Sequence, residues 1–170
     1  GDTMIEIPSC EKHLGARIKA LNHAFMRRYF ETARAMGLDD FSIMHGHILG
    51  LLHWNRDRDV FQKDLEEIFF LSRSSVAALM KTMERKGYLR RVPVPQDARL
   101  KKLVLTERGE EVFQLSFAAI RAAEARAVAD ISQEDLDAFF AVTDRIRQNL
   151  SDPKGKEGPH DQDPVGPSQG

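Results

Sequence analysis

The sequence contains one cysteine, one tryptophan and no long apolar run among its 170 residues. A single cysteine excludes an intrachain disulfide framework and a cysteine-built zinc site, and it is typical of a reducing compartment. No stretch approaches the roughly 20 apolar residues that span a bilayer. The acidic start also lacks the basic and apolar regions of a signal peptide. We therefore expect a cytoplasmic protein with no membrane partner.

The chain is nearly neutral, with a formal net charge of -1. Its 42% of apolar residues provide a core, and its 30% of charged residues are typical of a folded, soluble domain. The length favours one domain with a tail over a two-domain enzyme. Taken alone, the net charge argues against a polyanionic partner.

Composition predicts three parts. Residues 151–170 contain four glycines, four prolines and one aliphatic residue, which predicts a disordered tail. Residues 1–10 are expected to be an N-terminal extension, partly disordered, and residues 11–150 the folded domain.

Periodicity then predicts helices. Apolar residues at helical spacing mark a long first helix over 11–35. Ser42 caps a second, and a third runs from Gln62 to Phe69. A fourth begins after Ser72 and ends at Gly87. The last pair of short helices is typical of a helix-turn-helix.

After Gly87 the apolar period changes from 3.6 to 2. Strands are predicted at 88–92 and 100–105, joined by a long tip at 93–99. A long helix over 107–130, capped by Thr106, and a last helix opening at Ser132 complete the chain. The predicted fold is mainly α with a small β wing.

Charge is concentrated in one segment. Between Ser72 and Lys102 nine basic residues stand against two acidic ones, a net charge of +7, and the flanking helices and tail are acidic. Clustered cations on a helix-turn-helix and an adjacent hairpin are the footprint of a duplex-DNA contact, because phosphate neutralisation releases counterions. A solvated face is the alternative.

Two groups of residues are candidates for that contact. The outer face of the fourth helix is small or donor-bearing, which lets it approach base edges. At the hairpin, Asp97 can orient the guanidinium of Arg99 toward a narrow minor groove, although an ordinary turn with a weak surface ion pair fits the spacing too.

The run from Leu71 to Gly109 resembles the MarR family of winged-helix regulators. The resemblance lies in Leu-Ser-Arg-Ser-Ser-Val, which begins at Leu71, in Pro95-x-Asp97-x-Arg99, and in Leu103-x-Leu-Thr-x-x-Gly109. It implies a winged helix at about 41–105 and dimerisation helices at about 11–35 and 107–150.

The resemblance also implies DNA contacts residue by residue. Each recognition helix of a homodimer would enter a major groove, and each wing a minor groove. The implied contacts are Arg73, Ser74, Ser75, Ala77, Ala78 and Lys81 on the helix, and Arg91, Asp97, Arg99 and Lys101 on the wing. The expected protein is a homodimeric repressor of a pseudo-palindromic operator, not an enzyme.

Release by a small aromatic or phenolic effector is a further expectation from the resemblance. Candidate pocket residues are Phe25, His45, His47 and Trp54, with His53 nearby; each also fits an ordinary helix or core role. His45 and His47 are two residues apart and point to different helix faces, so they form no metal site together. No metal or other cofactor is expected.

Three alternatives stay open. Cys10, near Lys12 and His13, is a candidate redox sensor in the same fold, or an unreactive thiol. A hydrolase built on the histidines lacks a nucleophile motif. A winged helix that binds proteins and not DNA is the third.

Overall fold

The computed structural model describes residues 13–151, in which six helices and a three-stranded antiparallel sheet confirm the predicted mainly α fold with a small wing. The elements are α1 (Leu14–Ala35), α2 (Ile43–Trp54), β1 (Val60–Phe61), α3 (Gln62–Phe69), α4 (Arg73–Arg85), β2 (Leu89–Val94), β3 (Asp97–Leu105), α5 (Glu107–Ala127) and α6 (Gln133–Ser151). The expectations for the N-terminal extension, Cys10 and most of the tail lie outside the described residues. Within 13–151 no helix has the length and apolar character that crossing a membrane requires.

The chain divides into two compact units, one ending at Ala127 and the other beginning at Val128. The second contains α6, whose predicted N-terminal cap is confirmed: Ser132 Oγ accepts the backbone N–H of Asp135 at 3.1 Å. The prediction that α5 reaches Asp130 is wrong. Asp130 has a left-handed φ of 61°, a conformation that cannot continue a right-handed helix.

The core of the first unit joins α1 to α5. Tyr29 on α1 is buried, and its hydroxyl lies 2.8 Å from Ser116 Oγ on α5. Burial raises the Tyr29 pKa, so the phenol stays neutral. Fully buried alanines at 33 and 119 add little side-chain volume where α1 packs on α5.

Caps position the recognition helix as predicted. Ser72 Oγ accepts the backbone N–H of Ser75 at 3.2 Å at the start of α4, and Gly87 follows its end with φ 72°. Val76 and Met80 are fully buried, so the opposite face of α4 points to solvent.

The sheet differs from the prediction in two ways. β1, a two-residue strand that is too short to show an apolar period, pairs with β3, giving the order β1-β3-β2. The tip is also shorter than predicted. Pro93 lies within β2 opposite Lys101, and only Pro95 and Gln96 separate the strands. Proline is tolerated there because β2 is an edge strand, and the register shifts after Pro93.

The wing hairpin is joined tightly to α5. Thr106 Oγ1 donates to the Gly87 carbonyl and accepts the Gly109 N–H at 2.9 Å. A Cβ at Gly109 would lie 1.8 Å from the Tyr88 carbonyl oxygen, so only glycine fits where α5 crosses the base of the hairpin.

Candidate nucleic-acid interface

The outer face of α4 carries the predicted recognition residues. All six are exposed, while Val76, Met80 and Met83 face the core. The six are Arg73, Ser74, Ser75, Ala77, Ala78 and Lys81. With mostly small side chains on this face, the helix backbone can approach another surface closely.

Hydroxyl groups cluster at the N-terminus of α4. Ser72 Oγ lies 3.1 Å from Ser74 Oγ and 2.8 Å from Ser75 Oγ. The helix dipole places partial positive charge here, which favours anionic or acceptor groups of a ligand. The arrangement suits phosphate oxygens or the acceptor edges of bases.

A groove of about 480 Å³ lies beside this helix start. Its basic lining comes from α3, α4 and both long strands of the sheet: Lys63, Arg73, Arg91, Arg99 and Lys101. The fold thus brings the recognition helix and the wing together, as the sequence reasoning required. Lys63 was missed, because the charge cluster was counted only from Ser72 onward.

Some cations of the winged helix have carboxylate partners. Arg91 donates to Glu84 through Nε at 2.9 Å and through Nη2 at 2.7 Å, and this hydrogen bonding lowers the Glu84 pKa. Lys102 lies 2.7 Å from Asp59, and Lys86 pairs with Asp40. Arg91, expected to contact DNA, is therefore already engaged within its own chain.

The other cations of the segment form no ion pair within residues 13–151. We call three of them, Arg73, Arg99 and Lys101, the cationic rim, because all three line the groove and are exposed. Unpaired positive charge on one edge of a domain attracts a polyanion.

The expected buttress at the wing takes a different form. Asp97 Oδ1 accepts the backbone N–H of Arg99 at 2.9 Å, and no ion pair joins the two side chains in the described chain. The short carboxylate reaches the amide two residues on, as in an Asx turn, before it can reach a guanidinium. Asp97 thus fixes the backbone from which Arg99 projects.

The candidate pocket residues are not gathered into one site. His45 is buried, its Nδ1 accepts the Ser42 N–H at 3.3 Å, and its ring meets Phe41 and Tyr88 edge-on. Burial, with Lys86 adding to it, lowers the His45 pKa. His45 is therefore a capping and core residue of α2.

The remaining candidates have other neighbours. His47 is exposed and stacks on Phe69, whereas Trp54 is 69% exposed and meets Phe113 and Phe117 edge-on. Phe25 packs against the core. Spacing along α2 could not reveal this separation, because the partners come from α3 and α5.

A different cavity, of about 330 Å³, lies between the end of α2 and the start of α5. His53 Nδ1 lies 2.8 Å from Glu110 Oε1 at its wall, and this contact is the main cause of the lowered Glu110 pKa. In the described part of the chain, no three His, Cys, Asp or Glu side chains are arranged to hold a metal ion.

A helix-turn-helix followed by a β-hairpin with a basic edge defines a winged helix-turn-helix protein. Residues 39–100 match the model of the MarR family. The match covers 62 of the 170 residues, so the winged-helix segment of this chain is similar to that of MarR-family regulators.

Individual proteins are also similar to this chain. The chain is 25% identical over 123 residues to the uncharacterized HTH-type transcriptional regulator YybA of Bacillus subtilis, covering 72% of this chain and 82% of that one. It shares its fold with the heme sensor PefR of Streptococcus agalactiae, solved with heme, at a TM-score of 0.65, 22% identity and coverage of 86% and 99%. It also matches a variant of S. aureus MepR bound to an oligodeoxyribonucleotide, at a TM-score of 0.56, 20% identity and coverage of 80% and 96%.

Proposed function

We propose that this regulator binds a pseudo-palindromic operator in double-stranded DNA as a homodimer and represses transcription. The observation that carries the proposal is the cationic rim beside an exposed α4 face of small side chains. The oligodeoxyribonucleotide in the MepR structure supports it, since that protein has the same fold.

In this proposal α4 enters the major groove and the wing reaches the minor groove. Ser74, Ser75 and Ala78 face bases, with Ala77 beside them, while Arg73 and Lys81 contact phosphates or bases. Arg99 enters the minor groove from the turn fixed by Asp97, and Lys101 follows the backbone. Arg91 contributes less, because Glu84 holds its guanidinium.

Exposed apolar surface supports the homodimer. Leu14, Ile18 and Leu21 are 52%, 51% and 56% exposed, and their spacing forms one stripe on α1. No residue of α6 is buried, and Phe139 and Phe140 are about half exposed. Apolar patches of this kind mark interaction surfaces, and a second copy of the chain offers the same patches in return.

The dimer has its own test. Leu21→Glu should shift the molecular mass in solution, measured by light scattering, from dimer toward monomer. Asn22→Glu adds the same charge one position away on α1 and is the matched control. Equal masses for both variants at the wild-type value would reject the α1 interface.

An effector is the third part of the proposal: a small aromatic or phenolic molecule that releases the repressor from DNA. Its support is the exposed indole of Trp54 beside Phe113 and Phe117, an aromatic surface on which a ring can stack. Trp54 is the single tryptophan, so the protein's tryptophan fluorescence reports directly on binding at this surface. Titration with 4-hydroxybenzoate should quench it and weaken DNA binding, whereas cyclohexanecarboxylate should do neither.

Selection of bound fragments from the source genome tests DNA binding itself. The recovered duplexes should contain inverted half-sites about one helical turn apart, and affinity for them should fall steeply with salt. A purified protein with no salt-sensitive DNA affinity would favour the protein-interaction alternative.

The redox alternative predicts that peroxide weakens operator binding and that Cys10→Ser abolishes the response.

A further inference from the structure

Phe70, in the turn between α3 and α4, is unusual in two respects. Its side chain is 95% exposed, and its backbone is left-handed, with φ 53°. Phe70 and Asp130 are the two non-glycine residues with positive φ among residues 13–151. A fully exposed phenyl ring on a left-handed residue contributes nothing to the core.

The turn geometry explains the backbone but not the side chain. The N–H groups of Phe70 and Leu71 both donate to the Glu66 carbonyl, the latter at 3.1 Å, which closes the end of α3. This closure needs a left-handed residue, and glycine adopts that conformation without the steric cost that a Cβ brings. On folding grounds glycine is therefore the better residue at position 70.

Phe70 lies next to the start of α4 in the chain. Ser72, the cap of α4, follows two residues later, and Arg73 of the cationic rim comes next. The turn that carries Phe70 leads directly into the first turn of α4, the part proposed to meet bases. The unpaired cations nearby favour a polyanionic partner over a protein face of mixed charge.

We propose that Phe70 contacts the apolar surface of operator DNA, either a thymine C5-methyl group or deoxyribose carbons. Phenylalanine is among the side chains that read the thymine methyl in a major groove. The inference rests on the proposed DNA binding. It adds an apolar contact to an interface otherwise made of cations and small polar groups.

The test compares Phe70→Gly and Phe70→Leu with the wild type on a selected operator duplex. Phe70→Gly should weaken binding about 5- to 30-fold, the loss expected of one apolar contact. Phe70→Leu should retain most of the affinity, because it keeps an apolar side chain. Met36, at the C-terminal end of α1, is another exposed apolar residue, with 38% of its surface exposed. As a control, Met36→Ala should bind like the wild type.

Two further readouts separate this role from others. The slope of log affinity against log salt should be unchanged in Phe70→Gly, because no phosphate contact is lost. The thermal midpoint should be equal or higher, because glycine suits the turn. A lower midpoint would show a folding role and overturn the proposal.

Duplexes with single thymine-to-deoxyuridine replacements identify the DNA group. If Phe70 meets a methyl group, one replacement should weaken the wild type but not Phe70→Gly. If it meets deoxyribose, Phe70→Gly should lose the same factor on every duplex. Unchanged affinity in Phe70→Gly, alongside a loss in Arg99→Ala, would overturn the Phe70 contact and leave DNA binding intact. Absence of specific binding by the wild type would overturn both.

Discussion

Two sets of cations in the winged helix use positive charge differently: the cationic rim, and Arg91 with Lys102, which we call the base. At the base, Arg91 is held by Glu84 and Lys102 by Asp59 at hydrogen-bonding distance. At the rim, Arg73, Arg99 and Lys101 line an open groove and form no ion pair in the described chain, although Lys101 is near enough to Glu84 to help lower its pKa. Arg91 lines the same groove, so what separates it from the rim is its ion pair and not its position.

The difference indicates that charge alone does not identify a contact residue. A cation paired within its own chain must give up that partner, or share it, before it can neutralise a phosphate. An unpaired cation releases counterions from the DNA without such a cost. The rim is therefore expected to dominate DNA affinity, and the base to hold the wing in position.

The largest expected effect comes from separating the wing hairpin from α5. In Gly109→Ala the new methyl group would overlap the Tyr88 carbonyl oxygen, so the hairpin and α5 must move apart. We expect a loss of about 3 kcal/mol in the free energy of unfolding, measured by urea denaturation. Gly15→Ala, at an exposed helix position with open space around it, should be neutral or slightly stabilising. Equal stability of the two variants would contradict the close approach at Gly109.

The next effect comes from the recognition helix. Ser74→Glu places a carboxylate where bases and phosphates are expected, and like charges brought together cost several kcal/mol. Specific operator affinity, measured by fluorescence anisotropy, should fall at least about 100-fold. The fold should survive, because an acid in the first turn suits the helix dipole. Ser74→Gln is the neutral control; equal binding by both variants would mean that another element reads the sequence.

Removing a rim cation should have an intermediate effect. Arg99→Ala should weaken operator binding about tenfold, the scale of one lost arginine contact. The free energy of unfolding should stay within about 0.5 kcal/mol of the wild type, because Arg99 is exposed and unpaired. Wild-type affinity in this variant would remove the wing from the interface.

The smallest effect on DNA is expected at the base. Arg91→Ala should reduce affinity less than about threefold and the free energy of unfolding by less than about 1 kcal/mol, since the pair with Glu84 is partly exposed. Arg91 lowers the Glu84 pKa, so the pair stabilises the fold above the ordinary glutamate pKa and loses this contribution as the pH falls through the lowered one. The stability difference between Arg91→Ala and wild type should therefore be present at neutral pH and shrink in acid. A difference that persists in acid would contradict this linkage.

Local signals predicted most of the fold. The caps at Ser42, Ser72, Thr106 and Ser132 lie where expected, because a hydroxyl before an apolar period acts over three residues of chain. The shorter wing tip and β1 were missed, because pairing with β3 decides both. The residues around Pro93 do not by themselves show that Pro93 pairs with Lys101, and a two-residue strand is too short to show an apolar period.

The part of the candidate DNA interface that lies on α4 could be predicted from the sequence. The exposed residues of α4 follow from the burial of Val76 and Met80. The sequence does not predict which cations are paired, because Glu84 meets Arg91 and Asp59 meets Lys102 only after the sheet forms. The same limit explains the pocket residues, since the partners of His45 and Trp54 come from other elements.

The salt dependence of operator affinity, measured for Arg99→Ala and Arg91→Ala beside the wild type, distinguishes the rim cations from the paired ones. Arg99→Ala should lower the slope of log affinity against log salt by about 1 per subunit, while Arg91→Ala should leave it nearly unchanged. An unchanged slope in Arg99→Ala, or an equal drop in both variants, would contradict the division between rim and base.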